Sequence, residues 1–202
     1  MQENDEMTPE KNLLLIESMI NRAKDRFSEN GHLYLLWGWV IFFCSIGHFI
    51  LLNVLQYERH YMIWMVTWVV ALYQIIYLAR RKKKEKVKTY TGDIMGYVWL
   101  AFVIAMFLMG FILARGEGQN YYRLINPFFL MLYGIPTFLS GIILKFKPLI
   151  TGGVLCWQLT IVSTFIPYDY QLLLLSVAML VAWIIPGYAL RSKYNKNNNY
   201  GS

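Results

Sequence analysis

Long apolar stretches alternate with short polar segments along most of this 202-residue chain. Six of the stretches hold 19 to 23 residues each, and none of the six contains Asp, Glu, Lys or Arg. A helix of about 20 apolar residues is long enough to cross the hydrocarbon core of a bilayer. The pattern therefore predicts six membrane-spanning helices, at Leu33–Leu55, Tyr61–Ala79, Ile94–Ala114, Leu124–Leu144, Pro148–Ile166 and Tyr170–Leu190.

The polar segments between the stretches are short, so consecutive helices are predicted to pair as three hairpins. The predicted fold is an all-α membrane protein whose transmembrane domain comprises residues 33–190. Residues 1–32 are predicted to form a cytosolic amphipathic helix segment. The tail, residues 191–202, is polar and rich in Asn, a composition typical of disorder. The whole chain is 57% hydrophobic and 15% charged, which agrees with a membrane protein.

The N-terminal segment carries the signals of an amphipathic helix. Thr8 and Pro9 match an N-cap and a first helical position, and Gly31 matches a C-terminal stop. Apolar residues between them recur at helical spacing and form one stripe. This stripe either lies on the inner leaflet or under the bundle, or it contacts a protein partner or a second copy of the chain. The stripe consists of Leu13, Ile16, Ile20 and Phe27.

Charge indicates the orientation of the predicted bundle. The chain carries 19 Lys and Arg against 12 Asp and Glu, a net charge of +7. Six spans would place 16 of the 19 basic residues on the side that holds both termini, leaving Arg59, Arg115 and Arg123 on the other side. Translocation disfavours Lys and Arg, so the basic side is cytoplasmic. Both termini are therefore predicted to face the cytoplasm.

A run of basic residues follows the second apolar stretch. One interpretation is a topology anchor, with the long side chains reaching the headgroups of the inner leaflet. The other is a docking site for anionic lipid or an acidic protein partner. Nucleic acid is not an expected partner, because no reader motif accompanies the charge. The run begins with Arg80, Arg81, Lys82, Lys83 and Lys84.

Polar residues inside the apolar stretches indicate where a site could lie. His48 and Asn126 fall in the outer half of the predicted membrane, and Gln158 and Thr160 fall near its middle, so together they predict a small polar cavity. Prolines in the same stretches predict helix kinks, although ordinary helix packing also explains them. These prolines are Pro127, Pro136 and Pro186.

Metal and enzyme chemistry have little support in the sequence. Cys44 lies one helical turn before His48, but a metal site needs three or four ligands and nothing completes the set. Ser163 and Ser176 lie in apolar stretches without a nucleophile motif, and no stretch holds a carboxylate. We therefore expect neither an enzyme nor a bound metal or cofactor.

Two segments carry recognisable motifs. One is ESMINRAKDRFSENGHLYLLWGW (Glu17–Trp39), in which an Asn-Gly break separates the amphipathic stripe from a Trp-Gly-aromatic span. The other is VKTYTGDIMGYVWLAF (Val87–Phe102), a basic loop that leads into the third span. Both segments resemble an uncharacterised family of small six-span membrane proteins from Bacteroidetes-type bacteria. The resemblance implies a multi-pass protein of the bacterial cytoplasmic (inner) membrane, and it implies no activity.

Two functions fit these features. The first is a non-enzymatic scaffold or regulatory subunit that acts through its cytosolic face, with the lipids of the anionic inner leaflet and a protein partner as its contacts. The alternative is a small permease or channel that uses spans four to six. A tightly filled bundle favours the scaffold, and a kinked, polar-lined crevice favours the permease.

Overall fold

The computed structural model describes residues 31–84, 90–115 and 121–199, and the described residues form helices and turns without a strand among them. The N-terminal stripe of Leu13, Ile16, Ile20 and Phe27 lies outside these residues. The helices are named in chain order as α1 (Gly31–Asn53), a 3₁₀ helix (His60–Trp64), α2 (Met65–Lys84), α3 (Tyr90–Arg115), α4 (Tyr121–Ile143), α5 (Lys147–Ser163), α6 (Tyr168–Met179), a π-helical turn (Leu180–Ile184) and α7 (Ile185–Asn199).

Five helices within the described ranges are long and apolar enough to cross a membrane. This finding confirms the all-helical class and is consistent with a membrane protein, as the apolar stretches predict. The remaining predicted span corresponds to α5, which has 17 residues and is shorter than the other five. The five long helices are Gly31–Asn53, His60–Arg80, Gly92–Arg115, Tyr122–Ile143 and Tyr168–Lys193.

Glycines let α5 approach both of its neighbours closely. A Cβ atom added to Gly153 would lie 2.8 Å from the Cα of Phe138 on α4. A Cβ atom added to Gly152 would lie 2.8 Å from the Cα of Ala182 in the π-helical turn. Small residues at such crossings allow membrane helices to gain dispersion contacts along their backbones. Helix α6, the π-helical turn and α7 follow one another without a break, and we call them together the last helix. Helices α4 and α5 and the last helix therefore pack closely together.

Trp183 in the π-helical turn forms the centre of the core and is 2% exposed. Its indole Nε1 donates to Thr137 Oγ1 at 2.8 Å, and that hydroxyl donates to the carbonyl of Tyr133 at 2.7 Å. The rings of Tyr133 and Trp183 meet edge to face, with centroids 5.1 Å apart. Trp99 on α3 contacts Trp183 from another side. These contacts join α3, α4 and the last helix through aromatic packing with a satisfied polar end.

Helix α2 lies at the periphery, where it packs chiefly on α1 and the 3₁₀ helix. Trp37 Nε1 of α1 donates a hydrogen bond to Gln74 Oε1, and the rings of His32 and Tyr77 are in contact. Most of the apolar side chains of α2 are exposed. Because its backbone groups are paired internally, a helix of this kind is suited to a lipid environment.

Helix α7 extends into the predicted tail, whose residues 200–202 lie outside the described ranges. Helix α7 continues to Asn199, whereas the composition predicts disorder from residue 191. Adding residues to an existing helix gains one hydrogen bond for each residue ordered, so a polar segment without Gly or Pro extends the helix before it. A prediction from the composition of the tail alone does not take into account that the preceding helix can be extended.

The three prolines differ in their surroundings. Helix α4 continues through Pro127 and Pro136 without interruption, so a kink at either remains a prediction. Pro186 lies one residue beyond the π-helical turn Leu180–Ile184. A proline lacks the amide hydrogen and crowds the carbonyl four residues earlier, and a π turn relieves such a position by shifting the hydrogen-bond ladder. The helix is therefore locally irregular beside Pro186, and a kink at this residue stays a prediction.

Candidate functional site

His48 on α1 is the centre of a polar cluster at the end of the bundle that carries the 3₁₀ helix. The side chain is 2% exposed. Its Nδ1 accepts a hydrogen bond of 2.9 Å from the indole Nε1 of Trp64. Its Nε2 lies 2.6 Å from Nδ1 of His60, and the two imidazole rings stack with centroids 4.8 Å apart. We call these three residues the histidine cluster.

The hydrogen bonds determine which nitrogen of His48 carries the proton. An indole N–H only donates, so Nδ1 of His48 must present a lone pair to Trp64. The proton of neutral His48 therefore lies on Nε2 and is donated to Nδ1 of His60. Adding a second proton to His48 would place it on Nδ1 and break the bond from Trp64. The geometry thus favours a neutral His48.

Local packing brings the 3₁₀ helix against α1. Ile63 packs directly over Gly47, where a Cβ atom would collide with the Ile63 side chain. One turn earlier, Cys44 Sγ lies 3.7 Å from the carbonyl oxygen of Ile63. Before the 3₁₀ helix, Gln56 adopts a left-handed conformation (φ 47°), and the chain reverses direction there. This arrangement places His60 and Trp64 opposite His48.

A second polar group lies nearby and is centred on Gln171 of α6. Its Nε2 lies within 3.1 Å of the carbonyl oxygens of Arg123, Ser163 and Ile166. Its Oε1 accepts a hydrogen bond of 3.4 Å from Asn126 Nδ2 on α4. Gln171 therefore joins a carbonyl of α4 to two carbonyls at the α5–α6 turn, and it ties α4 to α6.

The structure does not bring the four predicted cavity residues together. His48 and Asn126 lie at the same end of the bundle but in the two separate groups described above. Gln158 is exposed on the outward side of α5. Thr160 donates to the carbonyl of Cys156 in its own helix at 2.9 Å. The prediction that Gln158 lines a shared polar cavity is therefore wrong.

Helical periodicity explains the position of Gln158. Cys156 is completely buried, and a helix turns about 200° over two residues. Gln158 consequently points away from the bundle, and Thr160 returns to the buried side. An apolar stretch by itself does not indicate which side of a helix faces its neighbours.

A cavity of about 540 Å³ lies between α3 and α4. Its lining is almost entirely apolar and includes Val98, Phe102, Leu132 and Pro136. Such a surface suits an alkyl chain and offers nothing to a polar solute. This cavity therefore differs from the polar crevice that a permease would need.

The histidine cluster is arranged for hydrogen bonding rather than metal binding. Two imidazole ligands of a tetrahedral zinc ion at about 2.0 Å would have their nitrogens about 3.3 Å apart. The nitrogens of His48 and His60 are 2.6 Å apart. Within the described ranges, no group of three or more His, Cys, Asp or Glu side chains could hold a metal ion. Cys44, a possible partner of His48 in the sequence, instead faces a backbone carbonyl.

The basic run lies at the opposite end of the bundle from the histidine cluster. Helix α2 continues through the run to Lys84, and Arg80 is exposed. The run therefore begins as a direct helical extension of an apolar span. The helical backbone up to Lys84 fixes the position of the first basic residues relative to the apolar part of α2.

Three residues of these groups were not predicted from the sequence as site residues. His60 and Trp64 lie near a chain reversal, and only the path of the turn brings them to His48. Gln171 was accessible to sequence reasoning, because it is a polar side chain inside an apolar stretch, as Gln158 is. A search for every amide inside a span would have found it.

No protein-family model, no curated protein and no solved structure matches this chain. The resemblance to small six-span proteins from Bacteroidetes-type bacteria therefore stays a prediction. Function has to be inferred from the geometry of the described residues.

Proposed function

We propose that this protein is a six-span, non-enzymatic scaffold or regulatory subunit of a bacterial inner membrane, acting through its cytosolic face. Both termini would lie in the cytoplasm together with 16 of the 19 basic residues. Its partners would be anionic lipid and a protein bound at the basic end of the bundle.

The connections of α5 support six spans. Helix α5 is joined to α4 by residues 144–146 and to α6 by residues 164–167, and α4 and α6 belong to helices long enough to span. A helix between two such spans with short connections at both ends is expected to traverse the same layer. Its 17 residues extend about 25 Å, and small local thinning of the bilayer accommodates a short span.

The proposal rests mainly on the close packing of spans four to six, which leaves no polar crevice among the described residues of these spans. Glycines in these spans bring backbones into contact, and the buried amides of Asn126 and Gln171 are engaged in hydrogen bonds. The cavity between α3 and α4 is apolar. A solute path would instead need convergent polar groups with unused hydrogen-bonding capacity. The permease alternative therefore has less support than the scaffold.

The proposed cytosolic face carries basic side chains that can bind anionic lipid headgroups or an acidic protein surface. Basic residues next to a span attract anionic headgroups by about 1 kcal/mol each. The helical extension of α2 through Lys84 supports a docking role, because it carries the run beyond the apolar part of the span. The predicted stripe of Leu13, Ile16, Ile20 and Phe27 would add an apolar contact on the same side.

The test replaces Arg80, Arg81, Lys82, Lys83 and Lys84 together with Gln. The intact variant and the wild type are captured from membranes in mild detergent, and the bound proteins and lipids are quantified. We expect anionic lipid or the protein partner to be reduced about tenfold or more, because the attraction is electrostatic. Thermal stability should be retained, since the replaced residues lie outside the apolar spans.

The matched control replaces Arg59, Arg115 and Arg123 with Gln at the opposite end, and it should keep both partners. Unchanged capture by the five-residue variant would contradict the docking role of the run. Swelling of proteoliposomes in small solutes, above that of empty liposomes, would instead support the permease.

A further inference from the structure

We propose that the outward face of α5 is a dimerisation surface for a second copy of this chain, with the Gln158 side chains of the two copies paired across the two-fold axis. The inference rests on the proposed function in one respect, that α5 crosses the membrane. It adds a partner and a contact to a face that the cytosolic role does not use.

The outward face of α5 has the spacing of a helix–helix seam. Val154, Gln158 and Ile161 of α5 follow one another at intervals of four and three residues, and Phe165 lies two residues beyond the helix, in the turn to α6. This alternation is the a/d pattern by which two helices interdigitate side chains. Leu155 and Val162 lie beside the seam, seven residues apart.

The outward side chains of α5 are only partly covered by their own chain. Phe165 is 83% exposed and Ile161 is 65% exposed, and Val154, Leu155 and Val162 are exposed as well. Lipid tails would cover these apolar groups adequately. The apolar residues alone therefore do not identify a protein partner.

Gln158 indicates a protein partner, because lipid tails cannot form hydrogen bonds with its side-chain amide. It lies 11 residues after Lys147 and 5 residues before Ser163, about 16 Å and about 8 Å from the two ends of α5, so a hydrocarbon layer crossed by this helix would enclose it. An amide at that depth without a hydrogen-bond partner is costly. Polar side chains on lipid-facing positions of membrane helices relieve this cost by bonding across to another helix.

The chemistry of the amide favours a second copy as the partner. A Gln side chain holds one carbonyl acceptor and one NH₂ donor. Across a two-fold axis each residue near the axis meets itself, so two Gln158 side chains exchange two hydrogen bonds and leave neither carbonyl unpaired. The shortness of α5 points the same way, because oligomerisation is one way in which short spans accommodate the bilayer.

The first experiment is disulfide cross-linking in native membranes. Val154→Cys, Gln158→Cys and Ile161→Cys are made singly in a background of Cys44→Ala and Cys156→Ala. We expect cross-linked dimers of this chain at these positions. Leu72→Cys on α2 and Phe111→Cys on α3, which are similarly exposed, are the controls and should remain monomeric.

The second experiment leaves the native cysteines in place and measures dimerisation by energy transfer between labelled copies in lipid vesicles. Gln158→Leu should dimerise about tenfold more weakly than the wild type, which corresponds to about 1.4 kcal/mol. Gln158→Asn keeps an amide and should retain most of the dimer. Because Gln158 is exposed in the isolated chain, neither substitution should lower the thermal stability of the monomer.

Absence of cross-links on α5, or equal dimerisation of Gln158→Leu and the wild type, would overturn the inference. A cross-linked product of a mass other than two chains would overturn the choice of a second copy. The proposed cytosolic role has its own readout in the capture experiment. Dimers without a captured cytosolic partner would support this interface and contradict the scaffold function. A monomer that still captures its partner would support the scaffold function and contradict this interface.

Discussion

His48 is a buried residue whose two ring nitrogens both have defined partners. Nδ1 accepts from Trp64 and Nε2 faces His60, so the polar ends of two residues in the 3₁₀ helix are held against α1. Buried polar groups stabilise a fold only while every one of them remains paired. The histidine cluster therefore holds the 3₁₀ helix before α2 against α1. Removing one of the three side chains would leave a buried polar atom of another without a hydrogen-bond partner, which destabilises the fold.

Trp64→Phe should destabilise the protein by about 1–3 kcal/mol, because it leaves Nδ1 of His48 buried without a donor. The measurement is equilibrium unfolding in mixed micelles. Trp68→Phe is the matched control, since Trp68 is largely exposed and should shift stability by less than about 0.5 kcal/mol. Equal effects of the two substitutions would show that lost ring volume, rather than the hydrogen bond, explains the result.

The helices differ in how much of their surface the bundle uses. Helix α5 contacts α4 and the last helix through Gly152 and Gly153, where backbones approach to distances that leave no room for a methyl group. Helix α3 carries Gly96 and Gly110 with nothing near their missing Cβ positions. Glycine on α5 thus serves packing, whereas on α3 it serves no contact with the described residues.

Gly153→Ala should cost about 1–3 kcal/mol, because the new methyl group would meet the backbone of Phe138, which cannot rotate away. Gly110→Ala is the control and should be neutral or stabilising by up to about 1 kcal/mol, as expected for a helical site with open space. Both variants are compared by equilibrium unfolding under identical conditions. A destabilising Gly110→Ala together with a neutral Gly153→Ala would contradict the packing described for α5.

The whole molecule has two chemically different ends. One end carries the histidine cluster and the hydrogen bonds of Gln171, and it closes the bundle with paired polar groups. The other end continues helically through Lys84 and carries the basic run. In a membrane this asymmetry is expected to orient the protein with its basic end in the cytoplasm, because translocation disfavours basic side chains.

Reporter fusions at residues 1 and 202 should both give cytoplasmic signals, and an insertion between Arg115 and Arg123 should give an external one. The reason is that six spans would place 16 Lys and Arg residues on the side of the termini and 3 on the other side. An external signal from either terminus would contradict the six-span topology. Agreement of all three reporters would also require α5 to cross the bilayer.

Apolar length and charge are properties that the sequence by itself determines. A stretch such as Ile94–Ala114 is apolar over the length of a membrane span, so its prediction as a span follows from composition and length alone. For the same reason the helical class and the positions of the long helices could be predicted. The exclusion of charge from the spans and its concentration at their ends likewise predicted where the basic end begins.

Tertiary structure alone decided which polar groups meet. Gln158 and Gln171 are the same residue type and both lie inside predicted spans, yet Gln171 is buried against three carbonyls and Gln158 faces outward. Likewise, His60 reaches His48 only through the chain reversal at Gln56. The physical reason is that membrane helices are apolar all around, so their sequences lack the amphipathic stripe that indicates the buried face of a soluble helix.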